Sequence, residues 1–283
     1  MQKVSVIVPF YNAEEFLYDA IKSVISQSYP FWELVLVNDG STDQGLRIAE
    51  HFRDLYPYRI KIVSHPDNCN HGMPASRNLG VSLATGDLIS NLDADDVYFE
   101  DKLKNQVELM QRHPDVAMIS GRMLISRSWQ GGRDDVQNFT CPTDTIIKPP
   151  LFLGLLLSGK NDPAGCMIKR SVFEEVNGYP TSFEMCEDWG LYTKICLKYK
   201  LIVQSECNYK YRQHPKQTCS IAHSERRFYQ KFRPFMRWAN LYIKENYPEQ
   251  PRIRLTVLSA MLKYQIYGLR EIIFSELRRF FKN

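Results

Sequence analysis

The chain has 283 residues, 44% hydrophobic and 24% charged, which is apolar material for one large domain or two small ones. Its formal net charge of +4 is unevenly divided: residues 224–283 hold 13 Lys or Arg against 5 Asp or Glu, a balance of +8, and the rest of the chain stands at −4. No apolar run approaches the roughly twenty residues of a bilayer span, no secretory leader is expected ahead of "MQKVSVIVPF", and seven scattered cysteines without a CxxC pair argue against a disulfide framework or a zinc site. The cytosol is the expected compartment.

In chain order, "KVSVIVPF" is β-branched and nearly all apolar, and it predicts a buried strand ending near Pro9. From Ala13 to Gln27, Phe16, Leu17, Ala20, Ile21, Val24 and Ile25 recur at helical spacing. "ELVLVND" is a second strand, "STDQGLRIAEHFRDLY" a helix opened by a Ser/Thr/Asp cap, and "IKIVSH" a third strand. "MPASRNLGVSLATG" has Pro near its start and Gly86 after its end, the asymmetry of a short helix. "DLISNLD" is a fourth strand.

Beyond residue 113 the regularity loosens. "VAMISGRMLI" predicts a strand, residues 126–148 a polar surface loop over the site, and "AGCMIKRSVFEEV" a strand followed by a helix. A helix opens at "CEDWGLYTKICLKY", with Glu187 and Asp188 in its first turn, and "LIVQSECNYKYRQH" reads as a strand. Residues 224–283 are helical, with a break around Pro248–Pro251.

Four alternations of strand and helix predict an α/β fold with a mostly parallel central sheet covered by helices on both faces. The expected division is a domain over 1–222 and a C-terminal helical extension over 223–283. Ligands of such sheets bind outside the carboxyl ends of the strands. "VNDGSTD" and "LDADD" both fall there.

"LDADD" places Asp93, Asp95 and Asp96 within four positions, a repulsive arrangement that calls for a cation. An EF-hand loop counted from Asp93 needs Gly and Glu where the chain has Tyr98 and Lys104. The first strand is followed by "PFYNAEEF" rather than G-x-G-x-x-G, and there is no P-loop. The DxDxV spelling also matches haloacid-dehalogenase-type phosphatases, with Asp93 as nucleophile, but that motif closes the first strand of its domain and this one closes the fourth. Helix capping accounts for one aspartate, hardly for three.

Taken in order, "VSVIVPFYNAEEFLYDAIKSVISQSY", "ELVLVNDGSTD", "ASRNLGVSLATGDLISNLDADD", "FEEVNGYP" and "CEDWGLYTKI" resemble family 2 glycosyltransferases of the GT-A fold, over roughly residues 3–215. The resemblance implies transfer of a sugar, with inversion, from a nucleotide diphosphate sugar, a UDP-sugar being the expected donor. It implies a nucleotide pocket from Pro9, Tyr11, Glu14, Asp39 and Arg77, with Asp93 supporting it and Asp95 touching ribose or metal. Mn²⁺ or Mg²⁺ is expected on Asp96, with Asp95 and His214 alongside, and oxygen-rich ligation suits those ions. Asp188 matches the general base, with Glu187 the competing choice.

Two positions depart from the family pattern: Pro180 stands where an acid usually follows "GY", and Gly190 where an acid usually follows the Trp. Both lie on the acceptor side, so the acceptor is read only as a glycan or lipid-linked hydroxyl. No nucleic-acid partner is expected. A non-catalytic nucleotide-sugar-binding homologue is the alternative from another class. The basic tail, with an apolar helical stripe through Leu258, Met261, Leu262, Ile266, Leu269, Ile273, Leu277 and Phe280, predicts either packing on the main domain or peripheral contact with the inner face of a membrane.

Overall fold

The structure is a computed structural model that describes residues 1–183, 185–225 and 227–280, with the side chains of His223 and residues 270–280 excepted. In chain order the elements are β1 (Val4–Phe10), α1 (Leu17–Ile25), β2 (Trp32–Asn38), α2 (Gly45–Leu55), β3 (Ile60–Ser64), α3 (Met73–Ser82), β4 (Leu88–Asn91) and β5 (Val97–Tyr98). Then come α4 (Lys102–Arg112), β6 (Val116–Ser126), a 3₁₀ turn at Ser128–Gln130, β7 (Asp135–Val136), β8 (Ile146–Ile147), α5 (Leu151–Leu157) and β9 (Ala164–Lys169). The chain continues through α6 (Arg170–Glu175), α7 (Glu187–Lys198), β10 (Lys200–Arg212), α8 (Thr218–Ser224), α9 (Phe228–Asn246) and α10 (Pro251–Phe280).

All seven residues of β1 and of β2 are buried, as strands covered on two faces must be, the polar Ser5, Glu33 and Asn38 included. Side chains alternate between the faces. Val4, Val6 and Val8 meet Leu17, Ile21 and Val24 of α1 and Leu103 and Val107 of α4. Ile7, Val35, Val37 and Ile89 join a second cluster with Val81 of α3, Leu153 of α5 and Ile195 of α7.

The sheet order is β3-β2-β1-β4-β9-β6-β10-β5. β3, β2, β1 and β4 pair in parallel, as do β6 and β10, while β9 is antiparallel to both β4 and β6. The parallel half therefore matches the alternation in the sequence, and the other half is mixed. With β2 and β4 on either side of β1, the crevice for a ligand opens at the carboxyl ends of these strands. The stretch 126–148, expected to be irregular, contributes the 3₁₀ turn and two short strands, β7 on β6 and β8 on β10.

The C-terminal helices share the second core. Phe232, Phe235, Met236, Ala239 and Ile243 of α9 and Ile253, Val257 and Ala260 of α10 are buried in the cluster that contains Leu191, Ile195 and Val203. That cluster runs without interruption across residues 222 and 223. Of the expected tail features, the Ile273, Leu277, Phe280, Arg270, Arg278 and Arg279 side chains, together with Arg226 and Lys282, lie outside the described residues. No helix among the described residues is long and apolar enough to cross a membrane.

Phe235 is completely buried and meets Phe183, Trp189, Phe232 and Trp238 edge to face, tilted or stacked. Phe235→Ala is expected to cost about 3–5 kcal/mol and to lower the denaturant midpoint of the whole chain in one transition. Separate transitions for residues before and after 222, with only the later one shifted, would show that the helices form an independent domain.

Candidate functional site

The first wall of the crevice is built by the loops after β1 and β2. Asn12 sits at positive φ and its Oδ1 accepts from Thr42 N at 2.8 Å, while its own N–H donates to Ser41 Oγ at 3.1 Å. Glu14 extends the tie: its N–H donates to Asp43 Oδ2 and its Oε2 accepts from Gln44 N, both at 2.8 Å. Pro9 lies within β1, and Tyr11 stands half exposed at the rim. Asp39, 1% exposed, accepts from His71 N at 2.8 Å and Gly72 N at 3.0 Å. The loop "HPDNCNH" and Gly72 after it are thus what hold that carboxylate, and His65 and His71 stack beside it at 4.2 Å.

Asp93, Asp95 and Asp96 follow β4 and offer carboxylate oxygens that all lie within 4.8 Å of one another, the group among the described residues suited to a metal ion. Their surroundings differ. Asp96 is fully buried, its oxygens accepting from Tyr209 Oη and Arg212 N at 2.9 Å each. Burial and the charges of Asp95 and Asp93 push its carboxyl well above the usual range. Burial also pushes Asp95 up, but hydrogen bonds from His214 Nε2 at 3.0 Å and Gln217 Nε2 at 3.1 Å outweigh it and leave Asp95 below the usual range.

His214, expected beside the metal, uses Nε2 on Asp95 and leaves Nδ1 buried without a partner. In this geometry it positions a carboxylate of the cluster. Its ring stacks on Phe16 at 4.7 Å, and Trp129 of the 3₁₀ turn meets both rings edge-on.

The opposite wall is the start of α7, where Cys186 adopts a left-handed conformation ahead of Glu187 and Asp188, and Asp188 accepts from Trp189 N at 2.8 Å. Arg77 of α3 spans the two walls. Its guanidinium donates to Asp93 Oδ1 and to Glu187 Oε1, both at 2.5 Å, and lies 5.3 Å from the Tyr179 ring. Arg77 was expected at the nucleotide, and Glu187 as an alternative base; the structure pairs them. Asp188 remains without an ion pair among the described residues. Burial, then the charges of Glu187 and Asp162, raise its carboxyl well above the usual range, against the pull of Arg77.

Sequence reasoning missed Asp162. Its Oδ1 accepts from Trp189 Nε1 at 2.8 Å, and burial pushes its carboxyl up to about 6, close enough to Asp188 for the two charges to interact. Tyr209, Arg212 and Gln217 were also missed. The run "YKYRQHPKQ" carried a signal, three hydrogen-bonding side chains near a recognised His, that has meaning only once β10 lies against β5. The two departures, Pro180 and Gly190, prove to be one feature: a Cβ at Gly190 would come within 2.8 Å of Pro180 Cγ and 2.9 Å of Phe183 Cζ.

The family model described as "Glycosyl transferase family 2" matches residues 5–176. The chain is 42% identical over 123 residues to a Bacillus subtilis (strain 168) protein named as the glycosyltransferase EpsE, which is 44% of this chain and 44% of that protein. It is 33% identical over 164 residues to TuaG of the same organism, named for teichuronic acid biosynthesis, covering 58% of this chain and 60% of TuaG. The chain therefore spans less than two thirds of either relative. Among solved structures, S. aureus TarS 1–349 in complex with UDP-GlcNAc superposes with a TM-score of 0.72 at 22% identity, over 92% of this chain and 73% of TarS 1–349. The mannosyltransferase PcManGT from Pyrobaculum calidifontis, in complex with GDP-Man and Mn²⁺, gives 0.59 at 18% identity over 98% and 80%. These two likenesses show the fold, with its central sheet and C-terminal helices. On the family model, which spans more than half of its length, the chain belongs to glycosyl transferase family 2.

Proposed function

We propose that the protein transfers a sugar from a nucleotide diphosphate sugar, a UDP-sugar in the first instance, to a hydroxyl of a glycan or lipid-linked acceptor, with inversion at the anomeric carbon. The observation that carries this reading is Arg77, whose two donor bonds hold an aspartate of the metal-type cluster and the acid next to Asp188 in one crevice. Donor chemistry on one wall and a raised, unpaired carboxyl on the other is what displacement at a sugar carbon requires. The complexes of TarS with UDP and UDP-GlcNAc support the donor class. Scattered cysteines without a CxxC pair support a cytosolic placement.

In this reading Tyr11 packs on the base and Asp39 receives a base N–H, with Pro9 and Glu14 fixing the loop. Asp188 accepts the proton of the acceptor hydroxyl as its oxygen attacks the anomeric carbon. The bond to the diphosphate breaks on the opposite face, and the nucleoside diphosphate leaves with the electron pair. Asp162, held by Trp189 Nε1, stands beside Asp188 on its wall.

The clustered, mutually repelling carboxylates, Asp96 buried and Asp93 and Asp95 half-buried, fit a hard divalent ion, and the PcManGT complex contains Mn²⁺. Asp95 and Asp96 would hold Mn²⁺ or Mg²⁺, with Asp93 beside them and His214 keeping Asp95 in place. When bound, such an ion neutralises charge on the departing diphosphate.

Two experiments test the assignments. In calorimetry of UDP with Mn²⁺, Asp95→Ala should abolish the metal-dependent part of the affinity and leave thermal stability near wild type, because it also removes a charge that opposes Asp96. Asp96→Ala should lose both, since Tyr209 and Arg212 lose their acceptor. Metal-dependent affinity unchanged in both variants would remove the cluster from metal binding.

For Asp188 the sign is set by its raised pKa. The base works deprotonated, so turnover falls as pH drops through a value above the ordinary aspartate range. Asp188→Asn should lose about 10²- to 10⁴-fold in kcat, retain UDP affinity and lose that acid limb. Because the folded state binds the Asp188 proton more tightly than the unfolded chain does, the charged carboxylate costs stability as pH rises. Asp188→Asn should therefore gain stability over wild type toward neutral pH. Near-normal turnover would assign the base to Glu187.

A further inference from the structure

Helix α10 carries two apolar faces. At 3.6 residues per turn, Ile253, Val257 and Ala260 share one side and are buried against the molecule. Leu255, Leu258, Leu262, Ile266 and Leu269 fall on the opposite side and are 40–62% exposed. They form a stripe about 21 Å long, at 1.5 Å per residue. The outer face of a helix packed on a globular domain is ordinarily polar, and a contiguous exposed apolar stripe marks a surface that meets something.

What borders the stripe identifies its partner. Arg252 and Lys263 lie along one edge, Lys263 leaning its ammonium on Ser158 O at 2.8 Å. Along the other edge stand Arg254 and a groove of about 230 Å³ between α9 and α10, lined by Tyr229, Arg233, Met236, Arg237, Met261 and Gln265. Arg233 and Arg237 are exposed, and neither has an acidic partner among the described residues. Over residues 228–269 the sequence has seven Lys or Arg and two Glu.

We propose that this outer face rests in the plane of an anionic lipid membrane, with the Leu/Ile stripe at the acyl boundary and the flanking arginines on lipid phosphates. An apolar stripe edged on both sides by cations is the pattern of a helix lying in the interface. A second copy of the chain is a poorer occupant, because facing stripes would bring two basic borders together. The helix is not apolar enough to cross a bilayer, so the contact is one of lying on the surface. Only its consequence, that a lipid-linked acceptor is delivered at the same surface, rests on the sugar-transfer reading.

Sedimentation of the whole chain with vesicles tests the inference. The wild type should pellet with phosphatidylcholine–phosphatidylglycerol vesicles at low salt, far less at high salt, and little with phosphatidylcholine alone. Leu262→Asp with Ile266→Asp, and separately Arg233→Glu with Arg237→Glu, should each lower the partition coefficient about tenfold or more, with thermal midpoint and calorimetric UDP affinity unchanged. Wild type left in the supernatant with anionic vesicles at low salt overturns the proposal. So does a lipid-free dimer in sedimentation velocity that Leu262→Asp with Ile266→Asp dissolves, which assigns the stripe to a second copy. UDP affinity, measured without vesicles, reports on the catalytic reading independently.

Discussion

The guanidinium of Arg77 is the interaction on which the crevice depends. Five carboxylates converge there, Asp93, Asp95, Asp96, Glu187 and Asp188, in surroundings where like charges interact strongly. Arg77 is buried, takes one carboxylate from each wall at 2.5 Å, and is held above the usual arginine range by Asp93 and Glu187 despite its burial. Its placement follows from backbone packing. One turn on in α3, Gly80 lies so close to β1 that a Cβ there would come within 2.4 Å of Ile7 Cγ2. The missing side chain lets α3 sit against the sheet and sets the height at which Arg77 enters the site.

A second arginine closes the other end. Arg212, the last residue of β10, donates Nε to Asp95 O, one terminal nitrogen to Asp19 at 2.8 Å and the other to Phe16 O at 3.1 Å, while its N–H holds Asp96. The end of β10, the acidic turn and the start of α1 are thereby fixed to one another. His214 continues from this anchor to reach Asp95. On the donor side Asp93, Asp95 and Asp96 are each given a partner, as is Glu187 opposite, and that side of the crevice is preorganised before any ligand arrives.

Much of this was legible in the sequence because β1 to β4 are built from local rules. Apolar runs at strand length, punctuated by Gly and Pro, placed the strand ends, and the acids followed directly after them. Among the helices that escaped are α4 and α5. In α4 the inward positions include Lys102 and Gln106 beside Leu103, Val107 and Met110, so the apolar period is broken by polar residues that the fold buries. In α5, "LFLGLLL" is apolar all round and has no period to read. The pairing of Arg77 with both walls, Asp162 beside Trp189, and the grip of Tyr209 on Asp96 join positions 16 to 113 residues apart, and no local pattern encodes them. Likewise the apolar cluster holds residues from both sides of the expected division between 222 and 223.

The central claim is that Arg77 performs, for the two acidic walls, the neutralisation proposed for a divalent ion at the cluster. It is tested by denaturant unfolding of Arg77→Met with and without added Mn²⁺. The account predicts a loss of about 3–5 kcal/mol without metal, as for removal of one partner from a buried ion pair, and partial recovery of that loss with Mn²⁺ beyond any gain seen for the wild type. Wild-type stability in the variant, or a loss on which Mn²⁺ has no effect, would contradict it.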